Sequence, residues 1–495
     1  LKQPGVRSGA AAAAVSARGT AMDLWEEAGQ YCCIQDGRSS VQMHARIASH
    51  GVELTPVSAA AAGRFRCQCL GGRHPDPLLD PLLPRALGFG DLLGASVDGG
   101  SGTVRLVHCP RSPGGARVRA DVLLQVGREG APEDVVRRAE AWAAQVSARC
   151  GLPSGTRRLL VFLNPASGTG GARKAWDLTK ELWDEVPEIQ CEVVTTTGAK
   201  DATKHVSSMD IESCHGIVIV SGDGLVHEVF NGLAGRSDAQ WALKLPIGHI
   251  PAGSGNGLAK SMLDGCGEAY GVLDAAFMIA KGGQRPLDLM SVQVADAPPR
   301  VSFLSLSAAT ISDIDIESEK LRCMGSARFT VWGVWRVLRP LALRAALDYW
   351  PAEAEARPPA EAPALSEALP QGPWVRLEDD FAVFWGLNVP WAAWDSQPAP
   401  GAAPGDGLWH LLLLRGRGAT RKALLKLLLG METGSHLAVP GVELLRCRAF
   451  RLAPQGGGKP GHLALDGEAL PLGPVQVWPA PHRGWVLGGA PAAEA

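Results

Sequence analysis

One acidic residue of this chain stands where an enzyme could use it. Asp223 lies in the run Ser221-Gly222-Asp223-Gly224, directly after an apolar, β-branched and uncharged stretch at residues 216–220. Such a stretch predicts a buried parallel strand, and the glycines beside Asp223 allow a sharp turn where that strand ends. Apolar residues then recur at helical spacing, at Val226, Val229 and Phe230. Open α/β folds carry their chemistry at this end of their strands, so Asp223 is the first candidate for catalysis.

Two more loops repeat this form, in which a strand ends in small residues and a helix follows. Residues 158–163 form one predicted strand, which leads into Asn164-Pro165-Ala166 and several glycines. Residues 244–250 form another, which leads into Pro251-Ala252-Gly253-Ser254-Gly255-Asn256. The backbone amides of such loops bind anions, although neither loop has the Walker or Rossmann spacing. Because the ends of parallel strands share one rim, we expect the three loops to converge at one ligand-binding site.

The elements around these loops divide the chain into regions. Alternating strands and helices predict an α/β domain with a parallel sheet at residues 154–298. Strand-like pieces dominate residues 299–485 and predict a mostly antiparallel β domain, with helical insertions after Asp313 and at 420–431. Residues 351–373 are rich in Pro, Ala and Glu, and we expect them to be a disordered insert of that domain.

The residues before the α/β domain are expected to form a separate β-rich module at 23–152. Short β-like pieces with Gly- and Pro-rich turns precede one amphipathic helix that begins near Pro132 and ends at Gly151. This order resembles the architecture of a pleckstrin-homology module, and an irregular regulatory extension is the alternative. Residues 1–22 begin with Leu and lack acidic residues. We expect them to be a disordered leader before a natural start at Met22, with a transit peptide as the alternative.

Composition argues against several classes of protein. The chain has 495 residues and a net charge of −2, which disfavours a nucleic-acid-binding protein. Its 11 cysteines include no Cys-x-x-Cys pair, and this scattered distribution predicts free thiols in a reducing compartment. Zinc binding by Cys67 and Cys69 lacks further paired ligands. No apolar run reaches the roughly 18 residues that a membrane span requires.

Five separated blocks together resemble the sphingosine (long-chain base) kinases of the diacylglycerol-kinase-like superfamily. They are Asn164-Pro165, residues 221–233, residues 251–256, the acidic block at 313–325 and Leu465-Asp466-Gly467-Glu468. The resemblance covers about residues 154–482, and the acidic block followed by Ser326-Ala327-Arg328 is typical of the sphingosine branch. Residues 245–248 and 388–391 look more like plant-type members. The resemblance implies an α/β kinase lobe with a three-layer parallel sheet, followed by an antiparallel β-sandwich lobe.

The same resemblance implies a kinase that uses ATP and Mg²⁺ and phosphorylates the primary hydroxyl of a sphingoid base. Asp223 would be the base that takes the hydroxyl proton. Asp315 would recognise the amine of the lipid head, and Ser221, Gly222 and Gly224 would complete the substrate site. The positions that match the ATP site are Asn164, Pro165, Ala166, Thr196, Glu228, Gly253, Ser254, Gly255, Arg322, Arg328, Asp466, Gly467 and Glu468. The resemblance assigns no metal ligands and leaves the oligomeric state open.

Other functions share part of this pattern. A diacylglycerol or ceramide kinase also has the Gly-Asp-Gly turn, but a neutral diacylglycerol needs no carboxylate at Asp315. An NAD kinase has that turn too, although the long apolar second domain favours a lipid. A non-catalytic lipid-binding scaffold is a rival from another class, because residues 307–311 lack the Trp-Gly pair usual there. Asp313 and Asp315 could also be surface charges, and residues 466–468 a plain hairpin turn.

A lipid substrate implies contact with a membrane, so we expect a cytoplasmic protein that associates peripherally with intracellular membranes. In a helix at 329–340, one stripe would hold Val331, Val334, Trp335 and Leu338. Trp favours the bilayer interface, and Arg336 and Arg339 could meet anionic headgroups. The alternative is that this stripe packs inward as core or lines the alkyl-chain pocket.

Overall fold

The computed structural model describes residues 32–35, 40–56, 85–125, 131–167, 170–295, 297–325, 327–455 and 461–488. The chain divides into two compact units, one of residues 1–112 with 117–152 and the other of residues 113–116 with 153–495. The predicted leader at residues 1–22 and the zinc candidates Cys67 and Cys69 lie outside the described residues.

The first unit is an antiparallel sheet followed by one helix. Its strands are β1 (Cys32–Gln35), β2 (Ser40–Ile47), β3 (Gly51–Pro56), β4 (Arg85–Gly88), β5 (Leu92–Asp98), β6 (Thr103–His108) and β7 (Val122–Gln125). Within the described residues they pair in the order β4-β3-β2-β1-β7-β6-β5. Helix α1 (Pro132–Arg149) starts with proline and two acids, which suit the positive end of a helix dipole. It packs on β5 and β6 and buries Val135, Ala139, Ala143 and Val146.

The second unit begins with strands that alternate with helices. The strands are β8 (Arg157–Leu163), β9 (Ile189–Thr195), β10 (Gly216–Ser221), β11 (Ile247–Pro251) and β12 (Gln284–Leu287). The helices are α2 (Ala172–Trp183), α3 (Asp201–Ser208), α4 (Asp223–Ala234), α5 (Ala239–Ala242), α6 (Gly257–Gly265) and α7 (Val272–Lys281). Every residue of β10 is buried, as its lack of charge predicts.

Helices cover both faces of this parallel sheet. The chain runs from β8 to its neighbour β9, and then passes back across β8 to β10 and β11. Because β-α-β crossovers are right-handed, this reversal puts α2 and α3 on opposite faces. Helix α2 packs against α7, and α3 packs against α4. The predicted three-layer α/β lobe is therefore confirmed.

The antiparallel domain is one extended sheet that bends over its own core. Its strands are β13 (Met290–Val294), β14 (Arg300–Ser302), β15 (Ser305–Ala309), β16 (Leu343–Pro351), β17 (Val375–Leu387), β18 (Trp409–Arg415), β19 (Val442–Pro454), β20 (His462–Leu465), β21 (Glu468–Pro471) and β22 (Val475–Pro479). The long strands β17 and β19 both pair with β16 over one half and with β18 over the other. The side chains inside include Phe381, Phe384, Trp409 and Phe450. The predicted antiparallel domain is confirmed.

The last strand belongs to a different sheet from the one its position suggests. Strand β23 (Gly484–Leu487) pairs with β11 in parallel and with β12 in antiparallel, so the chain returns to the first sheet. The sequence prediction placed residues 484 and 485 in the β domain. A Cβ atom on Gly484 would lie 2.7 Å from the Phe230 ring, so this strand can approach α4 because it begins with glycine.

Three helices are inserted between the strands of the antiparallel domain. Helix α8 (Thr310–Glu317) follows β15, and a 3-10 segment (Ser318–Met324) links it to α9 (Ala327–Leu338). Helix α10 (Arg421–Gly430) is capped at its N-terminus by Thr420, whose Oγ1 accepts a hydrogen bond from Ala423 N at 3.1 Å. Helix α9 packs against both α8 and α10. Within the part of the chain that the structure describes, no helix has the length and apolar character needed to cross a bilayer.

The insert at residues 351–373 is ordered, in contrast to the predicted disorder. Trp350 and Trp478 pack with Ala354 and Leu369, and their indole N–H groups donate to carbonyl oxygens of the insert. Arg451 donates to the Glu367 carbonyl at 2.7 Å. The prediction rested on Pro-rich composition, but backbone carbonyls remain acceptors whatever the side chain, so tryptophan and arginine donors can fix such a segment.

Candidate active site

Three loops meet at one edge of the parallel sheet, as the sequence predicts. Strand β10 lies between β8 and β11, with Val220 beside Leu163 and Ser221 beside Pro251. A side chain on Gly253 would collide with the backbone of Gly222, so two of the loops touch through their backbones. Glycine is therefore required at this contact, and the ends of the three strands lie side by side.

Asp223 opens α4, and its carboxylate reaches the neighbouring loop. Its Oδ2 accepts a hydrogen bond from Gly257 N at 2.8 Å, and its Oδ1 accepts one from Leu258 N at 3.2 Å. These amides open α6, where the helix dipole favours an anion. Burial raises the pKa of Asp223 above its ordinary value, while His249 and the two amides oppose that rise. The acid is thus oriented by α6, in addition to the flanking glycines that the sequence suggested.

Asp315 lies on α8 and faces the same region. Burial raises the pKa of its carboxyl group to about 6, Arg328 lowers it, and the charges of Glu319, Asp223 and Glu468 raise it further. Asp223 and Glu468 come from two other elements, so the fold brings Asp315 within electrostatic reach of both. Asp315 is therefore not an isolated surface charge, and its role in binding the lipid head stays a prediction.

Of the two arginines predicted to face the phosphates, the structure describes the side chain of Arg328. Arg328 is buried, and its Nη1 lies 2.5 Å from Glu319 Oε1 and 3.1 Å from Ser318 Oγ. The pair holds the start of α9 to the 3-10 segment beside Asp315. The side chain of Arg322 lies outside the described part of the structure.

Asp313 holds α9 to α8. It is buried, accepts a hydrogen bond from Trp332 Nε1 at 2.8 Å, and forms an ion pair with Arg336. The alternative that Asp313 is a solvated surface charge is therefore wrong. Arg336 faces this carboxylate, so it is not the free cation for headgroups that the sequence suggested. The same pair fixes α9 relative to Asp315, two residues away.

Asp466 has a structural role that the sequence did not reveal. It is buried, and its carboxylate accepts hydrogen bonds from Ser302 Oγ at 2.7 Å and from the amides of Phe303, Leu304 and Ser305 at 3.2, 3.0 and 2.9 Å. Its Oδ2 also lies 2.8 Å from His227 Nδ1 on α4. The carboxylate therefore ties the β domain to the α/β lobe, and its assignment to the ATP site stays a prediction.

The rest of that hairpin faces the catalytic loop. Asp466 and Gly467 have φ values of 49° and 88°, as a two-residue hairpin turn requires. Glu468 is exposed, and a Cβ atom on Gly224 would lie 3.6 Å from its Oε1. The prediction of a hairpin turn is confirmed, and this turn carries Glu468 to the Gly-Asp-Gly loop, where its role in the ATP site stays a prediction.

Comparison with known proteins agrees with this architecture. The diacylglycerol kinase catalytic domain matches residues 158–292, and the YegS C-terminal NAD kinase beta sandwich-like domain matches residues 394–487. Sphingosine kinase 1 of Arabidopsis thaliana is 35% identical over 339 residues, which cover 64% of this chain and 69% of that protein. Sphingosine kinase 1 of Homo sapiens is 31% identical over 355 residues, which cover 67% of this chain and 91% of that protein. The chain belongs to the sphingosine kinase family.

A solved diacylglycerol kinase from Bacillus anthracis str. Sterne covers 67% of this chain and 97% of its own, with 15% identity and a TM-score of 0.44. Membership of the sphingosine kinase family rests on the sequence relatives. It confirms the resemblance that the five separated blocks indicated.

The residues predicted to bind ATP differ in their exposure and in their hydrogen-bond partners within this sphingosine kinase family member. Asn164 Oδ1 accepts a hydrogen bond from Ala166 N at 3.1 Å. Pro165 and Ala166 are exposed at this edge of the parallel sheet. Thr196 is buried, and its amide donates to the Leu163 carbonyl at 2.9 Å, so it supports the end of β8. Glu228 carries a buried Oε2 without a hydrogen-bond partner among the described residues, and a donor on a ligand could complete it.

Sequence reasoning missed two histidines of the site. His227 lies on α4 against Asp466, and His249 lies in β11 with its Nδ1 3.9 Å from Asp223 Oδ1. Both are buried in apolar stretches, where a histidine looks like ordinary core. The position of His249 two residues before the Pro251 loop was the available signal, since residues at the end of such a strand face the site.

Proposed function

We propose that this protein transfers the γ-phosphate of ATP to the primary hydroxyl of sphingosine or a related sphingoid base, giving the base 1-phosphate. The observation that supports the proposal is that Asp315 on α8 lies within electrostatic reach of Asp223 on α4, whose charge raises the pKa of Asp315. Asp223 would take the proton of a hydroxyl, and Asp315 would pair with an ammonium group. A sphingoid base has both groups on neighbouring carbons, whereas diacylglycerol has no amine.

The chain's own residues supply binding and proton transfer. Asp223, held by α6, would accept the proton as the hydroxyl oxygen attacks the γ-phosphorus and ADP leaves. The glycine-rich loops present backbone amides to the phosphates. Arg328 stands beside Asp315 and adds a cation.

We propose that Mg²⁺ enters with ATP. The described residues contain no group of three or more His, Cys, Asp or Glu side chains arranged to hold a metal ion. Mg²⁺ keeps several waters and commonly binds through substrate phosphates with one or two carboxylates. The ion's ligands would then be mainly phosphate oxygens and water, with one or two carboxylates of the chain.

One paired assay tests the proposed function. Purified protein with labelled ATP and Mg²⁺ should phosphorylate sphingosine and phytosphingosine in detergent micelles and leave diacylglycerol and ceramide unchanged. Phosphorylation of diacylglycerol or ceramide alone would favour the rival lipid kinases. Lipid binding without any phosphorylated product would favour a non-catalytic scaffold.

Recognition of the amine by Asp315 predicts a pH dependence. The pKa of Asp315 is raised to about 6, so its carboxylate is lost as pH falls through that value. The KM for sphingosine should therefore rise below about pH 6, roughly tenfold per pH unit, while the KM for ATP changes little. Asp315→Asn should have a high KM for sphingosine that no longer varies over this range. A normal KM for sphingosine with a raised KM for ATP in this variant would place Asp315 on the nucleotide side.

We propose that α9 docks on the membrane that contains the substrate. Val331, Val334, Trp335 and Leu338 are exposed by 44, 53, 41 and 57%. The stripe therefore does not pack as core, and turnover in micelles separates docking from the other alternative, in which the stripe lines the alkyl-chain pocket. Helix α10, which meets α9 at Gly333 through Leu428, also exposes Leu429 by 73%. Arg339 lies over the Trp335 ring at 4.5 Å and could pair with anionic headgroups.

A double substitution tests this surface. Val334→Glu with Trp335→Glu should abolish binding to anionic liposomes, because two charges oppose insertion, yet retain near-wild-type turnover of sphingosine in micelles. The matched control is Leu178→Glu with Val193→Glu, which changes two exposed apolar residues of the α/β lobe and should bind liposomes normally. Normal liposome binding by the α9 variant, or equal loss of activity in micelles, would contradict the proposal.

We also propose that the first unit is a pleckstrin-homology-like module and that the protein is cytoplasmic, peripherally associated with intracellular membranes. An antiparallel sheet followed by one C-terminal helix supports the first part. The exposed stripe of α9 supports the second. Imaging of the tagged full chain, with and without the α9 substitutions, tests the localisation.

A further inference from the structure

A buried histidine faces the catalytic carboxylate and has one nitrogen unused. His249 lies on β11 directly beside Ile219 of β10, and its side chain is almost fully buried. Its Nδ1 finds no hydrogen-bond partner among the described residues and lies 3.9 Å from Asp223 Oδ1. A buried polar atom without a partner is costly, so its position next to the reacting group calls for a function.

The other nitrogen fixes the tautomer of this ring. His249 Nε2 lies 3.0 Å from the backbone carbonyl oxygen of Ser221. A carbonyl oxygen only accepts hydrogen bonds, so Nε2 must carry the proton. In the neutral ring Nδ1 is then unprotonated, and its lone pair faces Asp223. Two acceptors face each other across this gap until a proton arrives.

Catalysis delivers such a proton. We infer that His249 is the second acceptor of the lipid's hydroxyl proton, which Asp223 takes first and then passes to Nδ1 of His249. The hydroxyl O–H bond breaks, its oxygen bonds to the γ-phosphorus, and ADP leaves with the electrons of the broken P–O bond. The proton ends on His249, whose two N–H groups then bond to the Ser221 carbonyl and the Asp223 carboxylate. His249 acts through Asp223, so it is a positioning residue, and the inference rests on the proposed function.

The surroundings of the pair suit this transfer. Burial lowers the pKa of His249, and the negative charge of Asp223 raises it. Burial has the larger effect, so the pKa of His249 lies below its ordinary value and the ring is neutral before the reaction, while the Asp223 carboxylate partly offsets that fall. The other ionisable groups coupled to the pair are Asp466, Asp315 and Tyr270. Among them, the charge of Asp466 raises the pKa of Asp223.

Kinetics of His249→Gln test the inference. The kcat should fall roughly 10- to 100-fold, less than the 10²–10⁴-fold effect of a direct general base, with KM values for ATP and sphingosine little changed. In the wild type, a proton on either Asp223 or His249 before the reaction blocks the transfer, so kcat falls once this pair holds one proton. In the variant only protonation of Asp223 blocks the reaction, so the acid limb of the kcat profile should move to lower pH. The matched control is His215→Gln, an exposed histidine next to the opposite end of β10, which should keep the wild-type profile.

A second measurement does not depend on activity. Nitrogen-15 NMR of histidine-labelled protein should show His249 as the Nε2–H tautomer, with a lower pKa in Asp223→Asn than in the wild type. A kcat within twofold of the wild type, an unmoved acid limb, or an Nδ1–H tautomer would each overturn the inference. If the wild type phosphorylates no sphingoid base, the proposed function fails, while the NMR titration still reports whether the two groups are coupled. If His249→Gln does not fold, this titration decides the question alone.

Discussion

Asp223→Asn should lower kcat for sphingosine by about 10²–10⁴-fold, because an amide cannot take the hydroxyl proton. The change keeps the size of the side chain, and the amide oxygen can still accept one of the two hydrogen bonds from Gly257 and Leu258. ATP binding should therefore remain close to that of the wild type. The measurements are single-turnover phosphorylation in micelles and binding of a fluorescent ATP analogue.

A matched control shows whether the loss of activity is specific to Asp223 or follows from replacing any aspartate of this lobe. Asp177→Asn changes an exposed aspartate of α2, and its activity should equal that of the wild type. Asp223→Asn should also unfold at a slightly lower temperature, since one amide of α6 loses its charged acceptor, at a cost of about 1–3 kcal/mol. Residual turnover within tenfold of the wild type would show that another group is the base.

Asp466→Ala should have the largest effect on stability. It would leave the buried amides of Phe303, Leu304 and Ser305 without their acceptor and would remove the partner of His227. Breaking such a buried charged network costs about 3–5 kcal/mol. Urea unfolding of the second unit, monitored by tryptophan fluorescence, should show a clear fall in the midpoint. Activity should be lost in proportion to the fraction of unfolded protein.

The control is Glu468→Ala in the same hairpin. Glu468 is exposed, so its removal should leave the urea midpoint unchanged, whatever it does to turnover. If Asp466→Ala instead raised the KM for ATP with no change in the urea midpoint, Asp466 would be a nucleotide ligand, as the family motif implied. The two variants therefore separate the structural residue of this motif from the one that faces the site.

The sequence alone determined much of the catalytic rim. The uncharged strand before Asp223 predicted burial, and the three strand-end loops predicted one shared edge. Both follow from local physics, because period, charge and glycine content fix where a parallel strand runs and where it ends. The separated motifs also identified the family, since each depends on residue types at fixed spacing.

Only the tertiary structure decided which partner each polar group has. Asp223 binds the amides that open α6, Asp466 ties two lobes together, and His249 faces Asp223 across neighbouring strands. Each contact joins residues that are distant in sequence, and no local pattern encodes its partner. The return of β23 to the first sheet is of the same kind. The prediction of disorder at residues 351–373 was wrong for a related reason. Tryptophans outside the insert donate hydrogen bonds to it, so its order depends on the folded domain and not on its own composition.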